Sequence, residues 1–526
     1  MRQPRTNAAA PPRSEPLPAH AGTAAAGPAM EIELKLAVPP AACEAVRRRL
    51  EAYGAGPAVK HSSVYFDTVD LRLGSQRCAL RVRRIGEGAQ ARWVQTFKSG
   101  DEPGALSRRR EWESVVSGPR PQIKALADSA LPQLLGVRST RLVPVFRTRF
   151  ERTVRQVRFQ GALIEVALDE GSLLAGRRKE PIGELELELK EGSVSAVFDL
   201  ALDLIGRGRQ ALALRPAIES KAVRGYRLAQ RSGAGPMHAD PEGFSTLLQP
   251  RRTHLAVARR IVGLGVQRVL ANAHGAWLGN DPEYVHQARV ALRRTRSALR
   301  VLGVATTADD PIAQDLRWMA DCFGAMRDWD VLLTQSLPSL RRAAQAGDED
   351  QWVRLMARAL ARRQRQRLRL RAVLESVRFA HTALRLLRWS EEAAAPTADR
   401  LAQWARRAIE RGHRRVIAAG RHLPALPPLG RHRLRILAKR QRYALELLAP
   451  LLSPGAPART LKALSRLQQV LGEINDVHVA VSTLPSLTRS RELVKRAERW
   501  SEKVVRRNLP KAQARLQQLQ RRGSGA

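Results

Sequence analysis

The tightest constraint on this chain is a run of strict two-residue alternation, Glu31-Ile32-Glu33-Leu34-Lys35-Leu36. It returns late as Glu184-Leu185-Glu186-Leu187-Glu188-Leu189. Period two marks a β-strand, which turns successive side chains to opposite faces. Each run has one wholly apolar face and one wholly ionised face. Leu80-Arg81-Val82-Arg83 repeats the pattern with cations, and residues 143–149 and 163–169 are looser versions. Faces this purely ionised, acidic on some strands and Arg-bearing on others, predict a closed β-barrel. Its charged faces line the interior and its apolar faces meet covering helices.

The chemistry of such an interior follows from its charges. Glu31, Glu33 and Lys35 share a strand face, and Glu184, Glu186 and Glu188 share another. Buried carboxylates side by side repel unless a cation lies between them. Mg²⁺ or Mn²⁺ suits carboxylate oxygens, so Glu31, Glu33, Glu184 and Glu186 form the predicted metal set. Against them stand Arg81, Arg83, Lys98, Arg108, Arg147 and Arg149, the predicted catalytic cations together with Lys35. Arg84, Arg109 and Arg110 have opposite parity or lie in a turn-like segment, and are expected on the surface. A guanidinium fork matches phosphate oxygens. Acids with metal on one wall and cations on the other suit a linear phosphate chain.

These residues carry a resemblance to the CYTH family of triphosphate tunnel metalloenzymes. Its Glu-x-Glu-x-Lys strand is Glu31 to Lys35 here. In order follow Tyr65-Phe66-Asp67-Thr68, Leu80 to Arg83, Gln95 to Lys98, Ser107 to Glu111, Arg147-Thr148-Arg149, Glu165 to Asp169, Glu184 to Glu188, Ser220-Lys221 and Gly225-Tyr226. The resemblance implies an eight-stranded antiparallel tunnel, a divalent metal and a triphosphate substrate. It adds Glu111, Glu165, Asp169 and Lys221 as substrate-binding candidates. Members with an attached helical domain are inorganic triphosphatases; others are thiamine triphosphatases, RNA triphosphatases or adenylyl cyclases. Asp67 reads as a residue orienting a strand end rather than a metal ligand.

From about Phe244 the pattern turns helical, rich in Arg, Leu and Ala, and the charge becomes lopsided. The chain carries +42; residues 30–229 hold 34 basic and 24 acidic side chains, residues 230–526 hold 54 and 24. The second half therefore attracts polyanions, with nucleic acid, anionic membrane and polyphosphate all open on charge alone. Val285, Ala288, Leu292, Thr295, Leu299 and Leu302 follow the rhythm of a buried helix face. His286, Arg289, Arg293, Arg296 and Arg300 follow one residue later, a cationic rail about 100° around the helix. His432, Arg435, Lys439 and Arg442 repeat that spacing, with Glu446 where the first copy has Arg300. Each rail precedes a second matching element, Gly324 to Asp330 and Gly472 to His478. The duplication predicts two related helical units whose rails share a groove.

This duplicated pattern resembles the CHAD family of helical domains, named for its histidines, which binds inorganic polyphosphate. The implied polyphosphate ligands are His286, Arg289, Arg293, Arg294, Arg296, Arg300 and Arg327, then His432, Arg435, Lys439, Arg440 and Arg442. Asp328 and Asp476 are expected to hold nearby Arg or His side chains by salt bridges.

The expected fold class is thus α+β multidomain: a disordered segment over 1–29, the tunnel over 30–229, a linker over 230–244, and an all-α duplicated bundle over 245–515. Its repeats span about 250–390 and 398–515, and a basic tail covers 516–526. Met30 is a second candidate start. Only 4% of the residues are Phe, Trp or Tyr, too few for base-stacking platforms, which disfavours nucleic acid. No apolar run approaches the roughly eighteen residues of a membrane span. Three cysteines without metal or redox spacing fit a reducing, cytoplasmic address, and association with polyphosphate granules is a further expectation. The expected activity is hydrolysis of inorganic triphosphate with polyphosphate held by the helical half. The alternatives are a non-catalytic polyphosphate-binding protein and a hydrolase of an organic triphosphate such as thiamine triphosphate.

Overall fold

A computed structural model describes residues 29–54, 56–100, 105–136, 141–230, 235–249, 252–343, 349–393, 401–452 and 455–523. Residues 1–28 of the segment expected to be disordered lie outside them. The chain divides into two compact units, Met1–Gly233 and Ala234–Ala526.

The first unit is a closed barrel of eight antiparallel strands: β1 (Ala29–Ala37), β2 (Ala58–Thr68), β3 (Ala79–Ile85), β4 (Arg92–Ser99), β5 (Leu106–Val116), β6 (Leu142–Phe159), β7 (Ala162–Ala175) and β8 (Arg178–Glu191). Their order is β5-β4-β3-β2-β6-β7-β8-β1, and β1 pairs again with β5 to close the ring. Closure leaves no barrel edge exposed. Alternation makes the wall two-sided. Leu34, Leu36, Leu80, Val82, Leu185 and Leu187 are fully buried on the outer face. There Leu80 and Val82 pack with Phe97, Leu126 and Leu131 under short covering helices. The helix Val194–Ile205, N-capped by Ser193, buries Phe198, Leu200, Leu204 and Ile205. The β6–β7 hairpin turns on Gln160 and Gly161, both at positive φ (48° and 77°), as a two-residue turn of primed type requires.

Asp67 is fully buried, and its carboxylate accepts from the backbone N–H of Thr68 (2.7 Å), Leu73 (2.9 Å) and Gly74 (2.8 Å). It fixes the chain where β2 ends, as the sequence reading expects.

The second unit is all helix. Its long members are His254–Leu278, Pro282–Leu302, Pro311–Val331, Glu349–Leu374, Val377–Glu391, Leu401–Gly420, Pro428–Leu448, Ala456–Thr483 and Arg491–Arg522. Asp281 caps the first rail helix, Pro282–Leu302, with Pro282 at its start. All six of its predicted core positions are buried. Residues 516–522, read as part of a tail, continue the last helix, where Leu516 and Leu519 are buried. No helix among the described residues is long and apolar enough to cross a membrane.

Candidate functional site

The tunnel interior is assembled by strand pairing, because directly opposed residues share a face. Glu31 lies opposite Arg109 and Glu33 opposite Glu188. Lys35 lies opposite Glu186, Lys98 opposite Glu111, and Arg152 opposite Asp169. Two acid groups result. In the first, Lys98 Nζ bonds Glu31 (2.8 Å) and Glu111 (2.9 Å), while Arg109 reaches Glu33 at 3.3 Å. In the second, Lys221 Nζ lies 2.8 Å from Asp169, 2.5 Å from Glu184 and 2.8 Å from Glu186. Arg152 pairs with Asp169 (2.6 Å) and with Glu186. Lys35 joins the groups by bonding Glu33 and Glu186. Lys221 comes from the helix Lys221–Gln230, whose Gly225 packs so closely that a Cβ there would sit 2.0 Å from the Phe146 ring.

Three predicted cations are not in this interior. Arg108 is exposed on the face of Ile32, its partner across β1–β5, and Arg109 takes the inner place. Arg109 is only 5% exposed, so the surface expectation for it is reversed. Arg147 and Arg149 are also exposed, because the inner face of β6 carries Phe146, Thr148, Phe150 and Arg152. Arg152 is an interior cation that the sequence reading does not name. Glu165 is half-buried beside Gln156 (2.8 Å) and Lys190, apart from both acid groups. Glu188 bonds Lys190 at 2.6 Å.

The electrostatics separate the two walls. Burial alone would raise the Glu31 carboxyl, but Lys98 and Arg109 outweigh it and hold it at about 2. Glu33 goes the other way, pushed up to about 7 by burial and by the neighbouring Glu186. Burial opposes ionisation of Asp169 and Glu186, yet Lys221, Arg152 and, for Glu186, Lys35 keep both below the usual carboxylate range. Arg83 is pushed down to about 9 by burial and by Arg81 and Arg152. It is 7% exposed, donates to Ser63 Oγ at 3.2 Å, and forms no ion pair among the described residues. A buried guanidinium without a carboxylate favours an incoming anion.

Among the described residues no group of three His, Cys, Asp or Glu stands ready to hold a metal. The donors nonetheless fit Mg²⁺ or Mn²⁺, because such ions use one or two carboxylates together with substrate phosphate oxygens. Glu31 and Glu33 supply that pair, and Glu33 carries the repulsion a cation would relieve. Glu184 is committed to Lys221 and Arg224.

In the helical unit the first rail helix packs on the second, Pro428–Leu448. Lys439 faces Arg289 and Arg293 from the first rail and Arg435 and Arg442 from its own. Burial and these neighbours push it down to about 7. Burial and cationic neighbours likewise lower Arg296 and Arg300, which stand near Arg440. Burial and Arg327 lower His286. Arg289, Arg293 and Lys439 form no ion pair among the described residues. Glu446 departs from this one-sided charge: it bonds Arg294 (2.7 Å) across the helices and Arg442 (2.9 Å). His432 is exposed and meets Asn475 Oδ1 at 2.6 Å. Arg435 reaches Asp476 at 3.9 Å, as expected, but in the first copy the buried acid is Asp330, bonded to Arg363 at 2.7 Å, while Asp328 is exposed. Gly324 admits the Arg289 guanidinium: a Cβ there would stand 2.5 Å from its Nη1.

A model of the CYTH domain matches residues 29–226, and one of the CHAD domain matches residues 260–485. Over 207 residues the chain is 31% identical to an inorganic triphosphatase of Haemophilus influenzae. That match covers 38% of this chain and 55% of the relative, so the chain spans about half that relative's length. Among solved structures, the CHAD domain from the plant Ricinus communis aligns with 28% identity and a TM-score of 0.47, covering 54% of this chain and 97% of that one. A putative adenylyl cyclase from Hippeastrum, described as having a dominant triphosphatase activity, aligns with 22% identity and a TM-score of 0.28, covering 38% and 96%.

Proposed function

From a chain that joins a CYTH domain to a CHAD domain, we propose that the tunnel hydrolyses inorganic triphosphate and that the helical unit binds long-chain polyphosphate. The observation that carries the hydrolase reading is the buried, acid-free guanidinium of Arg83, set beside Arg81 and Arg152 in a wall that faces Glu31 and Glu33. Arg81, Arg83 and Arg152 bind the phosphate chain and orient it along the tunnel. Lys98 and Arg109 keep Glu31 ionised, and with Glu33 it would hold Mg²⁺ or Mn²⁺. When bound, such an ion would supply positive charge beside the phosphate chain, adding to that of the Arg side chains. Lys35 and Lys221 hold Glu186 ionised and keep the second acid group from repelling the substrate. The outcome is attack of water on a terminal phosphorus, releasing phosphate and diphosphate.

The grip reading rests on the rails, where Arg289, Arg293 and Lys439 crowd together with no ion pair among the described residues. We place the protein in the cytoplasm, at sites where polyphosphate accumulates.

Phosphate release from tripolyphosphate with Mg²⁺ tests the hydrolase. Wild type should be active and Glu31→Gln/Glu33→Gln should lose at least about a thousandfold, the scale of removing charge stabilisation from a reacting centre. An inactive wild type would leave only the binding role; a preference for thiamine triphosphate would move the substrate to the organic class. Arg289→Glu/Arg293→Glu should abolish retention of long-chain polyphosphate. If DNA outcompeted polyphosphate at equal salt, the grip assignment would fail.

A further inference from the structure

One aromatic ring in the tunnel has an unusual set of neighbours. Phe150 is 4% exposed and belongs on one side to the apolar cluster of Tyr65, Phe146, Leu173 and Tyr226. Three cations also lie over its ring: Lys221 Nζ at 5.4 Å from the centroid, Arg83 Cζ at 5.5 Å and Arg152 Cζ at 5.7 Å. They arrive from a helix, from β3 and from β6 itself. His61 stacks on the same ring at 5.2 Å with planes 13° apart. Its imidazole is held far down, at about 3, by burial and by Arg83 and Arg152, so it adds no fourth charge.

Three cations drawn to one point repel one another, and here their acids are shared unequally. Arg152 and Lys221 both use Asp169 and Glu186, whereas Arg83 forms no ion pair among the described residues. The negative face of an aromatic quadrupole attracts cations without neutralising them. A carboxylate at this point would compete with the substrate for the same charges; a ring does not. The helical unit contains the same arrangement independently. The Tyr443 ring lies under Arg293 (5.3 Å), Arg294 (5.3 Å) and Arg442 (4.8 Å).

We propose that Phe150 is a positioning residue of the tunnel, whose ring gathers Arg83, Arg152 and Lys221 to receive the negative charge of the phosphate chain. This deepens the hydrolase reading and rests on it for the identity of the anion.

The test replaces Phe150 with phenylalanines bearing one, two and three fluorines, which drain the ring quadrupole while nearly keeping its shape, and adds Phe150→Leu. The background is the full chain carrying Arg289→Glu/Arg293→Glu, so that tripolyphosphate binding reports on the tunnel. Affinity is measured by calorimetry without metal, and KM, kcat and melting temperature are followed alongside. Affinity should fall stepwise with fluorination, reaching about tenfold for Phe150→Leu. KM should rise in step, with the melting temperature of the fluorinated chains nearly constant. Equal affinity across the fluorinated series, with loss only where the melting temperature also drops, would make Phe150 a core residue and overturn the proposal. Binding without turnover in wild type would remove the hydrolase reading and leave the series to decide on Phe150. Absence of tripolyphosphate binding in the unsubstituted background would remove both.

Discussion

The tunnel and the rails both bury clusters of cations, but they hold them in opposite electrostatic states. In the tunnel, Lys35 and Lys221 are pushed above the ordinary lysine value and Glu31, Asp169 and Glu186 below the usual carboxylate range, because each burial cost is outweighed by opposite charge. In the rails, Arg293, Arg296, Arg300 and Lys439 all move down, because burial and like charge act together. The tunnel is mostly a closed network in which an incoming anion must replace existing partners, with Arg83 its rail-like cation among the described residues. The rails are an open deficit that any polyanion relieves. Selectivity fits the first state, and length-dependent avidity the second.

The comparison breaks first at Asp169. It is fully buried and bonds both Arg152 and Lys221. Asp169→Asn should destabilise the tunnel unit by about 3–5 kcal/mol, the cost of leaving buried cations uncompensated. Thermal or denaturant unfolding would measure it. A change within about 0.5 kcal/mol would mean the network is redundant and the contrast with the rails overstated.

What the sequence revealed depended on parity. Glu31 to Lys35 and Glu184 to Glu188 alternate so strictly that the face of each side chain could be read directly, and the barrel followed; their partners came only with the register. The segment Ser107 to Glu111 holds three consecutive Arg, so alternation alone cannot say which points inward. The register with β1 decides for Arg109. One signal was available: Glu111, expected in the tunnel, has the parity of Arg109 and not of Arg108. No such signal existed for Arg152. The premise that charged faces line the interior fails on β6, where the inner row is Phe146, Thr148, Phe150, Arg152 and the outer row carries Arg147 and Arg149. The rails were legible because helical spacing and charge coincide, whereas Glu446 bridging Arg294 and Arg442 is a contact between helices that no local pattern encodes.

A second test is the pH dependence of Lys439. Below about pH 7 it is charged in folded and unfolded chains alike, and only the folded chain bears the repulsion. From about 7 to its ordinary 10.5 the unfolded chain keeps the proton that the folded chain has lost. Its contribution to stability therefore rises with pH through that window. Lys439→Met should raise the melting temperature of the polyanion-free protein below pH 7, with the gain fading toward pH 10.5. A gain independent of pH would reduce the effect to packing.

The smallest expected effect is the most pointed, since it asks one acid to make part of the rails resemble the tunnel. Glu446 accepts from Arg294 at 2.7 Å and from Arg442 at 2.9 Å, occupying two guanidiniums that would otherwise face an anion. Glu446→Gln removes the charge and keeps the shape. Without polyanion the helical unit should lose about 1 kcal/mol, because the pair is partly solvated. With polyphosphate the sign should reverse: affinity should rise several-fold, and the slope of log affinity against log salt should steepen by about one to two as the freed cations displace counterions. Calorimetric titrations at three salt concentrations read both quantities. Weaker binding with a shallower slope would mean that Glu446 aims Arg294 and Arg442 rather than restrains them, and the rails would then depend on internal acids as the tunnel does.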